Sequence, residues 1–174
     1  MARQITLITG GQRSGKSSFA ERYALSVSDA PIYMATSRIW DEDYLQRIQR
    51  HQKDRGEQWQ TIEEEKFLSQ HSIHEKTIVI DCITLWTTNF FFDHSNEALD
   101  DIFTKIMAEF NAFTQQNNHY IFVTNEIGLG GISVDPVQRR FTDLLGWVNQ
   151  AIAKQADNVT FMISGLPMQL KGKL

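Results

Sequence analysis

Residues Gly10-Gly11-Gln12-Arg13-Ser14-Gly15-Lys16-Ser17 satisfy the pattern GxxxxGK[ST]. They stand between Ile5-Thr6-Leu7-Ile8, a short β-branched run, and a stretch of helical composition from Lys16 to about Ser28. The pattern works only as a strand, a glycine turn and a helix N-terminus in succession, so it constrains the fold more than any other feature of the chain. Glycines let backbone N–H groups converge on phosphate oxygens at the positive helix end. Lys16 is then placed to neutralise the β- and γ-phosphates, and the Ser17 hydroxyl to ligate Mg²⁺. A chance glycine turn would match the letters but not the flanking elements.

Strand and helix continue to alternate. Pro31 to Ala35 reads as a second strand, and Asp41 opens a charged amphipathic helix reaching about Arg55 and stopped by Gly56. Trp59 to Ile62 suits a short edge strand and Glu64 to Gln70 a short helix. Thr77-Ile78-Val79-Ile80-Asp81 is an apolar run ending in a carboxylate, and its lack of alternation suits a strand buried on both faces. Asn96 is positioned to cap a long helix through about Gln116, with Leu99, Ile102, Phe103, Ile106 and Phe110 at helical spacing. His119 to Thr124 reads as a strand, Asn125 to Val134 as a glycine-rich loop, Pro136 to Gln155 as a helix and Asn158 to Ile163 as the last buried strand. Parallel strands need crossovers, so the order predicts an α/β, P-loop NTPase-like three-layer fold with a mostly parallel central sheet. No linker or repeat divides it, and one nucleotide-binding catalytic domain over 1–174 is expected.

Composition narrows the function classes. At 174 residues a single domain buries about two-thirds of its unfolded surface. With 41% hydrophobic and 22% charged residues, a disordered chain is excluded. The net charge of -4 argues against a protein that coats nucleic acid or an anionic membrane, so an anionic ligand must be held by a local site. The one cysteine, Cys82, has no internal partner, which points to a reducing compartment. The N-terminus lacks the long apolar region of a signal peptide, and runs such as Tyr120 to Val123 are too short to span a bilayer. A cytoplasmic location follows as the expectation.

Three further groups carry chemistry. Asp81 ends a strand at the sheet edge where such folds bind ligand, and reads either as the carboxylate partner of a Mg²⁺ on Ser17 or as a helix N-cap before Cys82. Asn125-Glu126 leaves the same edge, as a ligand pair or a loop cap. On the helix from Asp41, Arg47, His51 and Arg55 fall at successive i, i+4 spacings, with Arg50 and Asp54 beside them. Like charges disfavour imidazolium, so two guanidiniums would leave His51 neutral, a nucleophile between anion clamps. A solvated charged helix face explains the same spacing. His71, His74, His94 and His119 lack such neighbours and read as surface or structural.

The glycine loop, Tyr33-Met34-Ala35-Thr36-Ser37, Arg47-Ile48 followed by His51, Trp59-Gln60-Thr61-Ile62-Glu63, Asp81-Cys82-Ile83-Thr84 and Thr124-Asn125-Glu126-Ile127-Gly128 occur in one order. So do Arg139 to Asp143, Gly146 to Gln150 and Gly165-Leu166-Pro167. Together, over essentially the whole chain, they resemble the adenosylcobinamide kinase / adenosylcobinamide-phosphate guanylyltransferase family of cobalamin synthesis. The resemblance implies a bifunctional enzyme. It would phosphorylate adenosylcobinamide with ATP or GTP, then attach GMP from GTP to give adenosylcobinamide-GDP and pyrophosphate. It places the covalent GMP on His51. GTP contacts would fall on Gly10, Gly11, Gln12, Arg13, Ser14, Gly15, Lys16 and Ser17, on Ala35, Thr36 and Ser37, on Gln52, Lys53, Asp54 and Arg55, and on Glu63 and Asp81. It also implies a homo-oligomer, a trimer in its best-known form. The chain departs from it at Gly131-Ile132-Ser133-Val134-Asp135, where an Ile-Val-Pro segment is expected, and at Arg50, a position that can hold a second histidine. The competing reading is a P-loop small-molecule kinase without nucleotidyl transfer, with His51 ordinary helix surface. A regulatory GTPase lacks its N-K-x-D motif here, and an ABC-type ATPase its LSGGQ-like signature. A non-catalytic nucleotide-binding module is removed by measurable turnover.

Overall fold

The computed structural model describes residues 1–38 and 56–173. Its elements run β1 (Gln4–Gly10), α1 (Lys16–Val27), β2 (Ile32–Ala35), β3 (Gln60–Glu63), β4 (Thr77–Asp81), α2 (Ile83–Asp93), α3 (Leu99–Phe113), β5 (His119–Val123), α4 (Pro136–Gln155), β6 (Asn158–Ile163) and β7 (Leu166–Lys171). Short 3₁₀ turns occupy Leu68–Gln70 and Ile127–Gly130. Among the described residues one sheet forms in the order β3-β2-β4-β5-β1-β6-β7. Every pairing is parallel except β6 with β7.

The unalternating strands follow from this architecture. Successive side chains point to opposite faces, and both faces are covered, so both sets are apolar. Leu7, Met34, Ile78, Ile80, Tyr120 and Phe122 join the core under α2, α3 and α4. Ile8, Tyr33, Val79, Ile121 and Val123 face α1, which meets them with the small residues Ala20 and Ala24. His119 is buried and structural: its Nε2 lies 3.1 Å from Thr6 Oγ1, and its ring meets Tyr23 edge-on.

Two elements were not legible in the residue pattern. Seven of the eleven residues of α2 are buried, among them Trp86, Phe90 and Phe91, so the helix shows no polar stripe and its 3.6-residue period vanishes. The indole N–H of Trp86 donates to the Lys66 carbonyl at 2.9 Å, which satisfies the one polar atom of a fully buried side chain. β7 follows β6 through Ser164 and Gly165, both at positive φ (52° and 82°), the geometry of a tight two-residue hairpin. Its exposed side chains look like a tail in sequence. Boundaries also shift. α3 is preceded by Ala98 rather than capped by Asn96, and it stops at Phe113. Of the expected helix from Glu64, only the Leu68–Gln70 turn forms, because the Glu64 carboxylate accepts from the N–H groups of Lys66 and Phe67 at 3.0 and 2.9 Å and holds a loop. The edge strand from Trp59 is present one residue later, over Gln60–Glu63.

Candidate active site

The glycine loop joins β1 to α1 and is shaped by its contacts with the β6–β7 hairpin. Gly10 has φ 152°, and a Cβ there would stand 2.5 Å from the Met162 carbonyl oxygen, so no other residue fits without moving a strand. Gly15, at φ 92°, faces Gly165, whose Cα would stand 3.3 Å from an added Cβ. The Gly165 N–H donates to the Ser14 carbonyl at 3.0 Å. α1 has Gly15 at its N-cap with no side-chain cap, which leaves its first N–H groups for an anion. The Lys16 ammonium donates to the Gly11 carbonyl at 2.5 Å and to Ser14 Oγ at 3.4 Å. Burial pushes the pKa of Lys16 down, while Asp81 nearby opposes that shift. The result is a cation held inside a ring of backbone, with Ser17 half-buried beside it. Gln12 and Arg13 are exposed on the outer side of the loop. There a groove of about 460 Å³ runs between Arg13, Leu129, Met162 and Ile163.

Strand register brings the remaining expected residues to this edge. Ala35 pairs with Glu63 on one side and Asp81 on the other, Asp81 pairs with Val123, and Val123 with Ile8. Glu63, Ala35 and Asp81 thus share one rung that continues to the strand feeding the glycine loop. Asp81 is not a helix cap. The N-cap of α2 is Cys82, and Asp81 Oδ2 accepts from the Tyr33 hydroxyl at 2.8 Å. The neighbouring Cys82 thiol is sealed in the core, and burial pushes its pKa up to about 12, so it stays neutral. The Thr36 hydroxyl donates to the Cys82 carbonyl at 2.8 Å and accepts from the Cys82 N–H at 2.9 Å. The Thr36 side chain therefore ties β2 to β4, which leaves Ala35 and Ser37 as the more open members of that trio.

Glu126 is bonded directly to the loop. Its N–H donates to the Gly10 carbonyl at 3.1 Å, and its Oε1 accepts from Thr9 Oγ1 at 2.7 Å and from Asn149 Nδ2 at 3.4 Å. Asn149 is held in turn by the Thr124 hydroxyl, which donates to its Oδ1 at 2.8 Å. Asn125 donates instead to Thr84 Oγ1 through its backbone and side chain. The two adjacent side chains therefore have different partners. Thr9 and Asn149 belong to this site, and the position of Thr9 against the glycine loop was the available signal for one of them.

A second group unforeseen in the sequence surrounds Arg38. Its guanidinium donates in parallel to both Asp93 oxygens at 2.7 Å and to Glu65 at 2.6 Å, while Lys66 reaches Asp93 at 2.5 Å. Arg38, then Lys66, hold the Asp93 carboxyl well below the usual carboxylate range. The Asn89 amide donates to the carbonyls of Thr36 and Glu65, at 2.8 and 3.0 Å, and joins the same two loops. The helix expected from Asp41, with Arg47, His51, Gln52, Lys53, Asp54 and Arg55, lies outside the described residues.

Residues 6–170 match the family model described as cobinamide kinase / cobinamide phosphate guanyltransferase. The chain is 37% identical over 171 residues to the bifunctional adenosylcobalamin biosynthesis protein CobP of Pseudomonas aeruginosa, covering 96% of this chain and 97% of that one. It is 33% identical over 184 residues to the bifunctional adenosylcobalamin biosynthesis protein CobU of Salmonella typhimurium, covering 95% and 98%. Among solved structures it is similar to the flagellar accessory protein FlaH of Methanocaldococcus jannaschii, with TM-score 0.55, 18% identity and coverage of 99% of this chain and 80% of that one. That likeness speaks for the fold alone. A match this long, running through the glycine loop, the Asp81 strand end and the Glu126 loop, establishes that the chain belongs to the cobinamide kinase / cobinamide phosphate guanyltransferase family.

Proposed function

We propose that this enzyme phosphorylates the aminopropanol hydroxyl of adenosylcobinamide with ATP or GTP, then transfers GMP from GTP to the product, giving adenosylcobinamide-GDP and pyrophosphate. The observation that carries this reading is the glycine loop closed over a buried Lys16, with Asp81 on the same sheet edge. The loop N–H groups and Lys16 bind and orient the triphosphate, and they stabilise charge that grows on it during transfer. Ala35 to Ser37, Gln52 to Arg55, Glu63 and Asp81 complete the GTP contacts. Ser17 and Asp81 offer one hydroxyl and one carboxylate. These hard oxygen donors fit Mg²⁺, which keeps several waters and takes its other ligands from phosphate. When bound, Mg²⁺ neutralises charge on the phosphates.

His51 is the GMP carrier in this reading. The spacing of Arg47, His51 and Arg55 supports it, since neutral imidazole attacks phosphorus and guanidiniums hold phosphate oxygens. GTP labelled at the α-phosphate is expected to leave protein-bound GMP that is acid-labile and alkali-stable, as a phosphoramidate on histidine is. His51→Ala is expected to lose the label while phosphorylation of adenosylcobinamide falls far less. Label persisting in the variant would move the nucleophile elsewhere. A wild-type protein that converts adenosylcobinamide to its phosphate without ever taking the label would be a simple kinase.

The enzyme works as a homo-oligomer in this reading. Exposed apolar side chains at Leu129, Ile132, Val134 and along β7 support that assignment. None of the helices described is long and apolar enough to cross a membrane. The lone buried Cys82 supports a cytoplasmic location.

A further inference from the structure

We propose that Glu126 is the proton acceptor for the attacking hydroxyl in the phosphoryl-transfer step; this rests on the kinase half of the function proposed above. A hydroxyl that attacks phosphorus must shed a proton, and the glycine loop offers only donors and the Lys16 cation. A carboxylate on the same sheet edge can take that proton. Among the described residues, Glu63, Asp81 and Glu126 are acidic residues that register and loop contacts bring there. They are not equivalent. β5 is the direct neighbour of β1, β4 is one strand further away, and β3 is beyond β2.

Glu126 follows β5 and is bonded through its backbone to Gly10, the first residue of the loop. Its side chain is oriented through one oxygen. Oε1 takes the Thr9 and Asn149 donors, both neutral, and among the described residues Glu126 makes no ion pair. Both donors meet Oε1, which leaves Oε2 to face a substrate hydroxyl, whereas both oxygens of Asp93 are taken by Arg38. Asp93, gripped by Arg38 and Lys66, shows the opposite arrangement. Glu126 is also half-buried rather than sealed, which leaves room for an acceptor to reach it.

In the step itself the acceptor O–H bond breaks and its proton passes to Glu126. The oxygen forms a bond to the γ-phosphorus. The bond from that phosphorus to the bridging oxygen breaks, and the nucleoside diphosphate leaves with the electron pair. The second half-reaction has no such need, because a phosphate oxygen of the acceptor is already anionic when it attacks the carried GMP.

The test compares Glu126→Gln and Glu126→Asp with wild type in three measurements. These are single-turnover phosphorylation of adenosylcobinamide by ATP, capture of α-labelled GMP from GTP, and passage of that GMP to preformed adenosylcobinamide phosphate. Glu126→Gln is nearly isosteric and still accepts from Thr9. It is expected to slow phosphorylation about a hundred-fold or more, with GMP capture and passage reduced far less. Glu126→Asp, which keeps the charge but draws it back, is expected to fall between. Phosphorylation within a few-fold of wild type in Glu126→Gln would overturn the proposal. Loss of all three activities with a raised Mg²⁺ requirement would replace it with a metal-ligand role, and loss of all three with a lowered Tm would replace it with a structural one. Wild-type protein that captures GMP but never phosphorylates adenosylcobinamide would overturn the kinase reading itself.

Discussion

At the scale of single residues, the site depends on how few groups carry charge and how firmly each is placed. Lys16 has lost most of its water, and burial alone would push it toward neutrality. Asp81 offsets this, which gives that carboxylate a second role besides meeting a cation. Asp81→Asn keeps the shape and an acceptor for the Tyr33 hydroxyl but removes the charge. It is expected to lower Mg²⁺-dependent turnover by about ten-fold or more while nucleotide binding measured without metal changes little. Titrating the rate against Mg²⁺ checks this, and an unchanged Mg²⁺ dependence would remove Asp81 from the metal shell. Before the fold is known, Asp81 reads equally as a helix cap. The cap reading is removed by Cys82, which takes the cap position, and by Tyr33, a side chain from another strand that bonds the Asp81 carboxylate.

At the scale of elements, the Arg38, Glu65, Lys66 and Asp93 cluster ties the exit of β2 to the loop after β3 and the end of α2. Arg38 directly precedes, in sequence, the stretch that contains His51. Asp93 has a depressed folded-state pKa, so its contribution is fully present above the unfolded carboxylate value near 4 and is lost as pH falls through the lower folded value. Asp93→Asn is expected to lower stability at pH 7 by about 1 kcal/mol, roughly 3 °C in Tm for a chain of this length. The gap between wild type and variant should close as pH drops below 4. Thermal melts from pH 7 to pH 3 check this, and a gap that stays constant would mean that the charge of Asp93 is not what stabilises. None of these four residues stands out in sequence, because long-range ion pairs leave no periodic trace.

At the scale of the whole molecule, the parallel sheet is covered on both faces, but its antiparallel end is open. Every residue of β7 is exposed, and Leu166, Met168 and Leu170 alternate onto one face at 71%, 50% and 58% exposure. Ile132 and Val134 are exposed at 91% and 95% as well, and exposed apolar side chains of this kind suit the homo-oligomer proposed above. An exposed edge strand also presents unpaired backbone groups to a partner. Met168→Glu is expected to shift the enzyme toward monomer in sedimentation velocity with little change in Tm of the dissociated chain. A wild-type protein already monomeric at micromolar concentration would mean that this face has another use.

The order of strands and helices, the glycine loop and its phosphate chemistry were legible in the sequence by itself, since they rest on local periodicity and on residue types that only one backbone geometry tolerates. The reach of that reading ended where a feature depends on residues far apart in the chain. α2 is hidden because burial nearly all round erases its amphipathic period, and β7 because Pro167 interrupts the alternation of Leu166, Met168 and Leu170 and argues against a strand. Only the tertiary structure decided that Thr36 serves as a bolt between strands and that Glu126 and Asp81 stand in different places relative to the glycine loop. Strand order and register set those distances, and both are products of packing that no local run of residues encodes.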